Sequence, residues 1–309
     1  MTKTYKVFGL TIASDFVLEA LAETELLHAS ARDHDPDVTV ARVTGLNAGG
    51  PHPVDPFFDI RPDVQLFYWS QVGTFVIESP ARVLVEPIDG ASDYLVSQPL
   101  LGLVISVLLE RRNLLSLHAS AVCINGAAAI FLGDKGAGKS TTFAALVGKG
   151  YLPITDDLVA VNVAEGRKPM VRPGFARMKL WPDSIAALGL HEEEDDIAVH
   201  PTVSKIQKSV QSPVMRDDVR FGASFVLQRN DAVRKVEAVP LPPHEALHMA
   251  MRFSFMARYG ETKLGPRHTA EHIKRCSSVV THVPFYALRI PADLTGLNAL
   301  VENIAEIMG

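Results

Sequence analysis

Eight consecutive residues, Gly133, Asp134, Lys135, Gly136, Ala137, Gly138, Lys139 and Ser140, satisfy G-x-x-x-x-G-K-[ST] at every constrained position. Glycines at these places let successive backbone N–H groups turn toward phosphate oxygens, and Lys139 adds a positive charge at the β and γ phosphates. Ser140 would ligate Mg²⁺, with Thr141 beside it at the start of the following helix. The motif predicts a bound nucleotide, ATP or less readily GTP, and leaves open where its phosphate goes. Asp156 and Asp157 follow Ser140 within one short helix and one strand-like run. One carboxylate on a neighbouring strand is enough to hold Mg²⁺ in many phosphate-loop ATPases. A second, beside the γ phosphate, can take the proton of an attacking hydroxyl. The plainer alternative is that Thr155-Asp156-Asp157 caps a turn, since Asp favours turns. His118, in SLHASAVCI, would by itself be a satisfied strand residue.

These residues need elements to bring them together. LHASAVCI, an Asn125-Gly126 turn and AAAIFLG predict a hairpin leading into the loop; STTFAALVGKG predicts a helix after it, and LPIT a strand ending at the Asp pair. Residues 5 to 90 are short β-rich segments (YKVFGLTIA, DVTVARV, FFDI, VQLFYW, TFVIES, ARVLVEP), with NAGGPHPVDP as the loosest connection. A helix is predicted from about Asp93 to Arg112. Further strands (LVAVNV, PMVRPG, FGASFVLQR, FYALRIP) and helices (from Pro182 to Leu190, PPHEALHMAMRFSFMARYG, residues 267 to 279, LTGLNALVENIAEIM) interleave after residue 115. That order predicts a mixed α/β catalytic core over residues 93–309, preceded by a small β-rich module over residues 1–92.

The chain has 309 residues, 47% of them hydrophobic, enough for one large or two modest packed units. A net charge of −5 gives no overall electrostatic reason to bind nucleic acid or an anionic membrane. Cys123 and Cys276 are too few for a disulfide framework and fit a reducing compartment. The first residues lack a long apolar core and cleavage site, so no signal peptide is expected and a cytoplasmic location is. The apolar run LLGLVISVLL is about half the length of a membrane span and is expected to be a buried helix.

The order His118, hairpin, loop from Gly133 to Ser140, helix, LPITDD resembles the catalytic domain of HPr kinase/phosphorylase. More closely it resembles the HPr-kinase-related serine kinases of bacterial peptide-maturation clusters, including those that phosphorylate lasso-peptide precursors. PGFARMKLWPDSIAALG and PLPPHEALHMAMRFSF look like that related group too. The resemblance implies a P-loop kinase that uses Mg²⁺ and ATP, acting on a serine of a protein or peptide. Asp156 would be the general base with His118 oriented beside it, and Asp157 would help hold Mg²⁺, with the two aspartates' parts open to exchange. Members of the HPr type assemble, so a homo-oligomer fits the resemblance. The second glycine-rich signature tied to phosphorolysis has no counterpart in FARMKLWPDSIAALGLHEEEDDIAVHPTVSKIQKSVQ, so the resemblance does not extend to the reverse reaction or to HPr as acceptor.

Other groups point less sharply. HEEEDD at 191 to 196 is a metal candidate or a solvated acidic turn, and Lys205 and Lys208 either approach the nucleotide or peptide or serve solubility. Arg172 and Arg177 could reach a phosphoryl group, because guanidinium forks match its oxygens. Arg252, Arg258 and Arg267, interleaved with Phe253, Phe255 and Tyr259, could contact a peptide or mark the core side of a helix. His268 and His272 lack a third metal ligand. Two rivals to the kinase remain: a hydrolytic P-loop NTPase that positions water with the same acids, and a nucleotide-gated binding protein.

Overall fold

The computed structural model describes residues 2–24, 35–46, 54–191, 196–200, 203–210, 212, 214–230, 232–258, 265–291 and 296–309. Most of NAGGPHPVDP, the middle of HEEEDD and Tyr259 lie outside these residues. The chain divides into two compact units, one of residues 1–116 and 255–274, the other of residues 117–254 and 275–309.

The first unit is built on one mixed sheet. Its strands are β1 (Lys3–Val7), β2 (Leu10–Ser14), β3 (Val38–Arg42), β4 (Phe57–Ile60), β5 (Gln65–Trp69), β6 (Gly73–Ser79) and β7 (Arg82–Pro87), in the order β1-β2-β3-β7-β6-β5-β4. Burial alternates along β2 and β3, so one side of the sheet faces the core and the other faces water. The covered side includes Ile12, Val40, Phe67 and Val85. The helical run α1 (Asp93–Pro99), a π turn (Leu100–Val104) and α2 (Ile105–Arg111) follow. Ser92 caps α1 by accepting the Leu95 amide. By length and mean hydropathy, Asp93–Arg111 could cross a membrane, yet 61% of that window is buried within the fold, including Val96, Val104 and Leu108. The run was expected to open the catalytic domain, but it belongs to the first unit. Asp93 accepts the Val17 amide at 2.7 Å and pairs with Arg42 at 2.9 Å, Arg111 hydrogen-bonds Gln65, and Arg112 donates to the Pro80 carbonyl.

Chain order continues with β8 (Leu114–Leu117), β9 (Ser120–Ile124), β10 (Ala127–Leu132), α3 (Lys139–Gly148), β11 (Leu152–Thr155), β12 (Val159–Asn162) and β13 (Met170–Arg172). Then come β14 (Arg177–Leu180), α4 (Pro182–Ala187), β15 (Ile197–His200), β16 (Val203–Ser209), β17 (Val219–Arg229) and β18 (Glu237–Pro240). The last elements are α5 (Pro243–Arg252), α6 (Phe255–Arg258), α7 (Pro266–His282), β19 (Phe285–Ile290) and α8 (Leu297–Ile307). The main sheet of the second unit runs β11-β9-β10-β17-β13-β12, with β19 parallel to β17 and β18 antiparallel to β19. Every residue of β10 is buried, as expected of a strand covered on both sides. The helical stretch expected across 242–260 breaks at Ser254, which forms a bridge with Leu117.

Strand direction sets the site. The hairpin turn at Asn125 and Gly126, both left-handed, makes β9 antiparallel to β10, with Ser120 beside Phe131. β11 is antiparallel to β9 in turn, with Thr155 beside Ala121. The start of β9 therefore lies at the same edge as the ends of β10 and β11. A separate sheet, β14-β16-β15, was not expected from the sequence. Its strands RMKL and VSKIQKS mix charges into the alternation and look like surface loops.

Candidate active site

The loop between β10 and α3 has a backbone that its glycines permit. A Cβ on Gly133 would lie 2.9 Å from the Ala137 Cβ and 3.2 Å from the Leu227 carbonyl oxygen. Gly136 and Gly138 have φ of 87° and 101°, a region that side chains disfavour. The Ala137 amide closes the loop on the Asp134 carbonyl at 3.1 Å, and the Thr142 amide starts α3 on the Gly138 carbonyl at 2.8 Å. Lys139 Nζ donates to the Gly133 carbonyl at 2.8 Å, drawing its charge over the loop. Lys135 is exposed at the tip, and Asp134 is held by Arg252 at 2.9 Å. Thr141 points to α4 instead, its Oγ1 3.0 Å from Ser184 Oγ.

Of the predicted residues, Ser140, Asp156, Asp157 and His118 come together at the edge where β9, β10 and β11 meet. Asp156 is 2% exposed. Its Oδ1 accepts the Ser120 hydroxyl at 2.5 Å and the Ser140 hydroxyl at 3.4 Å, and its amide donates to the Phe175 carbonyl. Burial pushes its carboxyl above the usual range, and the neighbouring Asp157 charge adds to that, outweighing Ser120, Lys179 and Ser140.

Asp157 differs in each respect. Its φ of 77° lies in the left-handed region, and 44% of its side chain is exposed. His118 Nδ1 lies 3.1 Å from both its Oδ1 and its carbonyl oxygen, and Lys179 Nζ lies 3.4 Å from its Oδ2. Burial opposes the charge, but His118 and Lys179 outweigh it and hold the carboxyl far below the usual range. His118 was expected beside Asp156; the structure places it on Asp157. It is anchored there because its amide donates to the Phe253 carbonyl at 2.8 Å.

The β14-β16 ladder adds cations. Lys179 is opposite Gln207, so by alternation Arg177, Lys179 and Lys205 share one side, while Met178, Leu180 and Ile206 pack on the core. Lys205 Nζ lies 5.3 Å from the Trp181 ring. Burial lowers its pKa, with the Asp157 and Asp156 charges acting the other way. Lys208 has a different place, buried and paired with Asp196 at 2.5 Å. Arg172 lies 3.9 Å from Asp218, and Phe253 and Phe255 are core residues. His272 is buried against Glu110, and among the described residues no three His, Cys, Asp or Glu side chains could hold a metal ion together.

Sequence reasoning missed Ser120, Lys179 and Arg229. Ser120 stands two residues after His118, at the start of β9, a spacing that the sequence already showed. The other two arrive through pairings far apart in sequence.

No protein-family model matches the sequence, and no curated protein does. Among solved structures, the Hpr(Ser) kinase/phosphatase from Coxiella burnetii matches over 62% of this chain and 93% of its own length, at 11% identity and a TM-score of 0.32. A likeness so slight shows no shared family.

Proposed function

We propose that this chain is a Mg²⁺-dependent kinase that transfers the γ phosphate of ATP to a serine hydroxyl of a protein or precursor peptide. The supporting observation is the split within one acidic pair, with Asp156 buried against Ser140 and Asp157 half-exposed between His118 and Lys179. The oxygen set fits Mg²⁺, which takes one or two carboxylates and completes its shell with water and phosphate oxygens. Asp156 and Ser140 would hold it, and a buried carboxyl with a like-charged neighbour gains most from a cation. Bound there, Mg²⁺ would neutralise charge on the phosphates.

The chain's own residues do the rest. The loop amides and Lys139 hold the phosphates. Asp157, half-exposed beside His118, accepts the proton of the serine hydroxyl as its oxygen bonds to the γ phosphorus, and the bond to the bridging oxygen breaks to release ADP. His118 fixes the Asp157 carboxylate in place. This exchanges the parts implied by the resemblance, because the exposed acid can meet an acceptor and the buried one cannot. ATP as donor and a precursor peptide as acceptor rest on the resemblance alone.

Labelled ATP, Mg²⁺ and precursor peptides encoded beside this chain's gene test the assignment. A serine becomes labelled, and Asp157→Asn slows transfer by about a thousandfold, within the range of a lost general base, while ATP affinity holds. Release of free phosphate without labelled peptide overturns it in favour of a hydrolase.

A further inference from the structure

We infer that the nucleotide's base and ribose lie in a groove outside the carboxyl ends of β10, β17 and β19, on the opposite side of the loop from Asp156. This rests on the phosphate-binding role proposed for the Gly133–Ser140 loop.

The sheet order places the groove. β11 and β9 flank β10 on the side of the Asp pair, and β17 and β19 continue the sheet on the other. β10, β17 and β19 are parallel, and ligands of such sheets bind outside their carboxyl ends. Two recesses open there. The smaller reaches Gly138, Thr141 and Thr142 at the start of α3, with Arg229, Ile290 and Leu297 on its walls. The larger, of about 450 Å³, is lined by Val233, Arg234, Lys235, Ala299 and Asn303. Val236, Pro291 and Gly296 line both, so the groove consists of two adjoining recesses, a narrow one of about 20 Å³ at the loop and the larger one beyond it. Its larger part falls within the roughly 300–1,000 Å³ typical of small-molecule sites.

The walls suit a flat, partly polar ring. Val236, Pro291 and Leu297 offer apolar surface, while Arg234 and Lys235 offer donors at the exposed rim. Arg229 stands where the loop meets the groove, and a Cβ on Gly138 would lie 3.5 Å from its Nη2. From there a guanidinium can stack on a base or pair with a phosphate. A larger cavity of about 620 Å³ follows the far end of α3, beside Gly148, Lys149 and Leu190, and lacks any residue of the loop.

Tripolyphosphate, which has the phosphates without the base, separates groove from loop. Ala299 is exposed on α8, so Ala299→Trp puts an indole in the groove without disturbing the core. We expect it to weaken ATP binding by about tenfold or more, equal to about 1.4 kcal/mol, and to leave tripolyphosphate affinity within about twofold. Val236→Ala, which removes wall without adding bulk, should weaken ATP several-fold with the same selectivity. Calorimetry on the full chain reads both ligands, and retained tripolyphosphate binding certifies the fold. Equal wild-type affinity for ATP and tripolyphosphate, or unchanged ATP affinity in both variants, overturns the groove and leaves the loop's role standing. Failure of the wild type to bind either ligand overturns both.

Discussion

Each unit buries a carboxyl group almost completely, Glu110 in the first and Asp156 in the second, at 1% and 2% exposure. Glu110 is fully engaged: its Oε1 accepts the Ser116 amide at 2.8 Å and the Ser116 hydroxyl at 2.9 Å, and its Oε2 faces His272 Nδ1 at 3.6 Å. Asp156 meets two hydroxyls and stands beside a second acid. Burial does not distinguish a structural acid from a working one. What sets Asp156 apart is that burial and the neighbouring Asp157 oppose its charge.

The largest expected effect tests the structural side. Glu110→Ala leaves the buried Ser116 amide without its acceptor and removes the carboxylate facing His272, and should cost about 3 kcal/mol in urea unfolding. A loss under about 1 kcal/mol would erase the contrast. Asp156→Asn tests the other side. It keeps an oxygen for Ser120 while removing a charge that burial opposes, so stability should rise by about 1 kcal/mol as phosphoryl transfer falls. A destabilised Asp156→Asn protein would show that the pair serves the fold.

Two smaller effects set the baseline in the first unit. Arg82 and Glu78 form an ion pair with both side chains about half exposed, so Arg82→Ala should change stability by less than about 0.5 kcal/mol. Asp15 is held below the usual carboxyl range by the Thr2 hydroxyl and the Arg42 amide. Its contribution is present above its ordinary value of 3.8 and is lost as pH falls through the lowered folded value. Asp15→Asn should therefore be slightly less stable than the wild type at neutral pH and match it in strong acid, as followed by Trp69 fluorescence.

The contrast also explains what could be read from the sequence. The glycines of the loop, the Asn125-Gly126 turn and the adjacent Asp156 and Asp157 are local signals, because backbone conformation and spacing set them within a few residues. The helix beginning at Asp93 was legible from its apolar content, but its partner was not, since an apolar side predicts burial without naming what buries it. The same gap put residues 255–274 in the catalytic domain, whereas they return to the first unit. Lys179 and Arg229 were hidden because their positions depend on the β14-β16 register and on β17 lying beside β10. Which aspartate faces His118 depends on one left-handed residue, Asp157, and aspartate tolerates that conformation without requiring it.

The tight reversal at Asn125-Gly126 bears on how the chain reaches this arrangement. It gathers His118, Ser120, Lys139, Ser140 and both aspartates into one stretch of forty residues, with the contact from His118 to Asp157 spanning 39 positions. Closing loops of that length carries a modest entropy cost, and contacts of low sequence separation form early in folding. The acidic pair can meet the loop before the strands that bring Lys179 and Arg229 have docked.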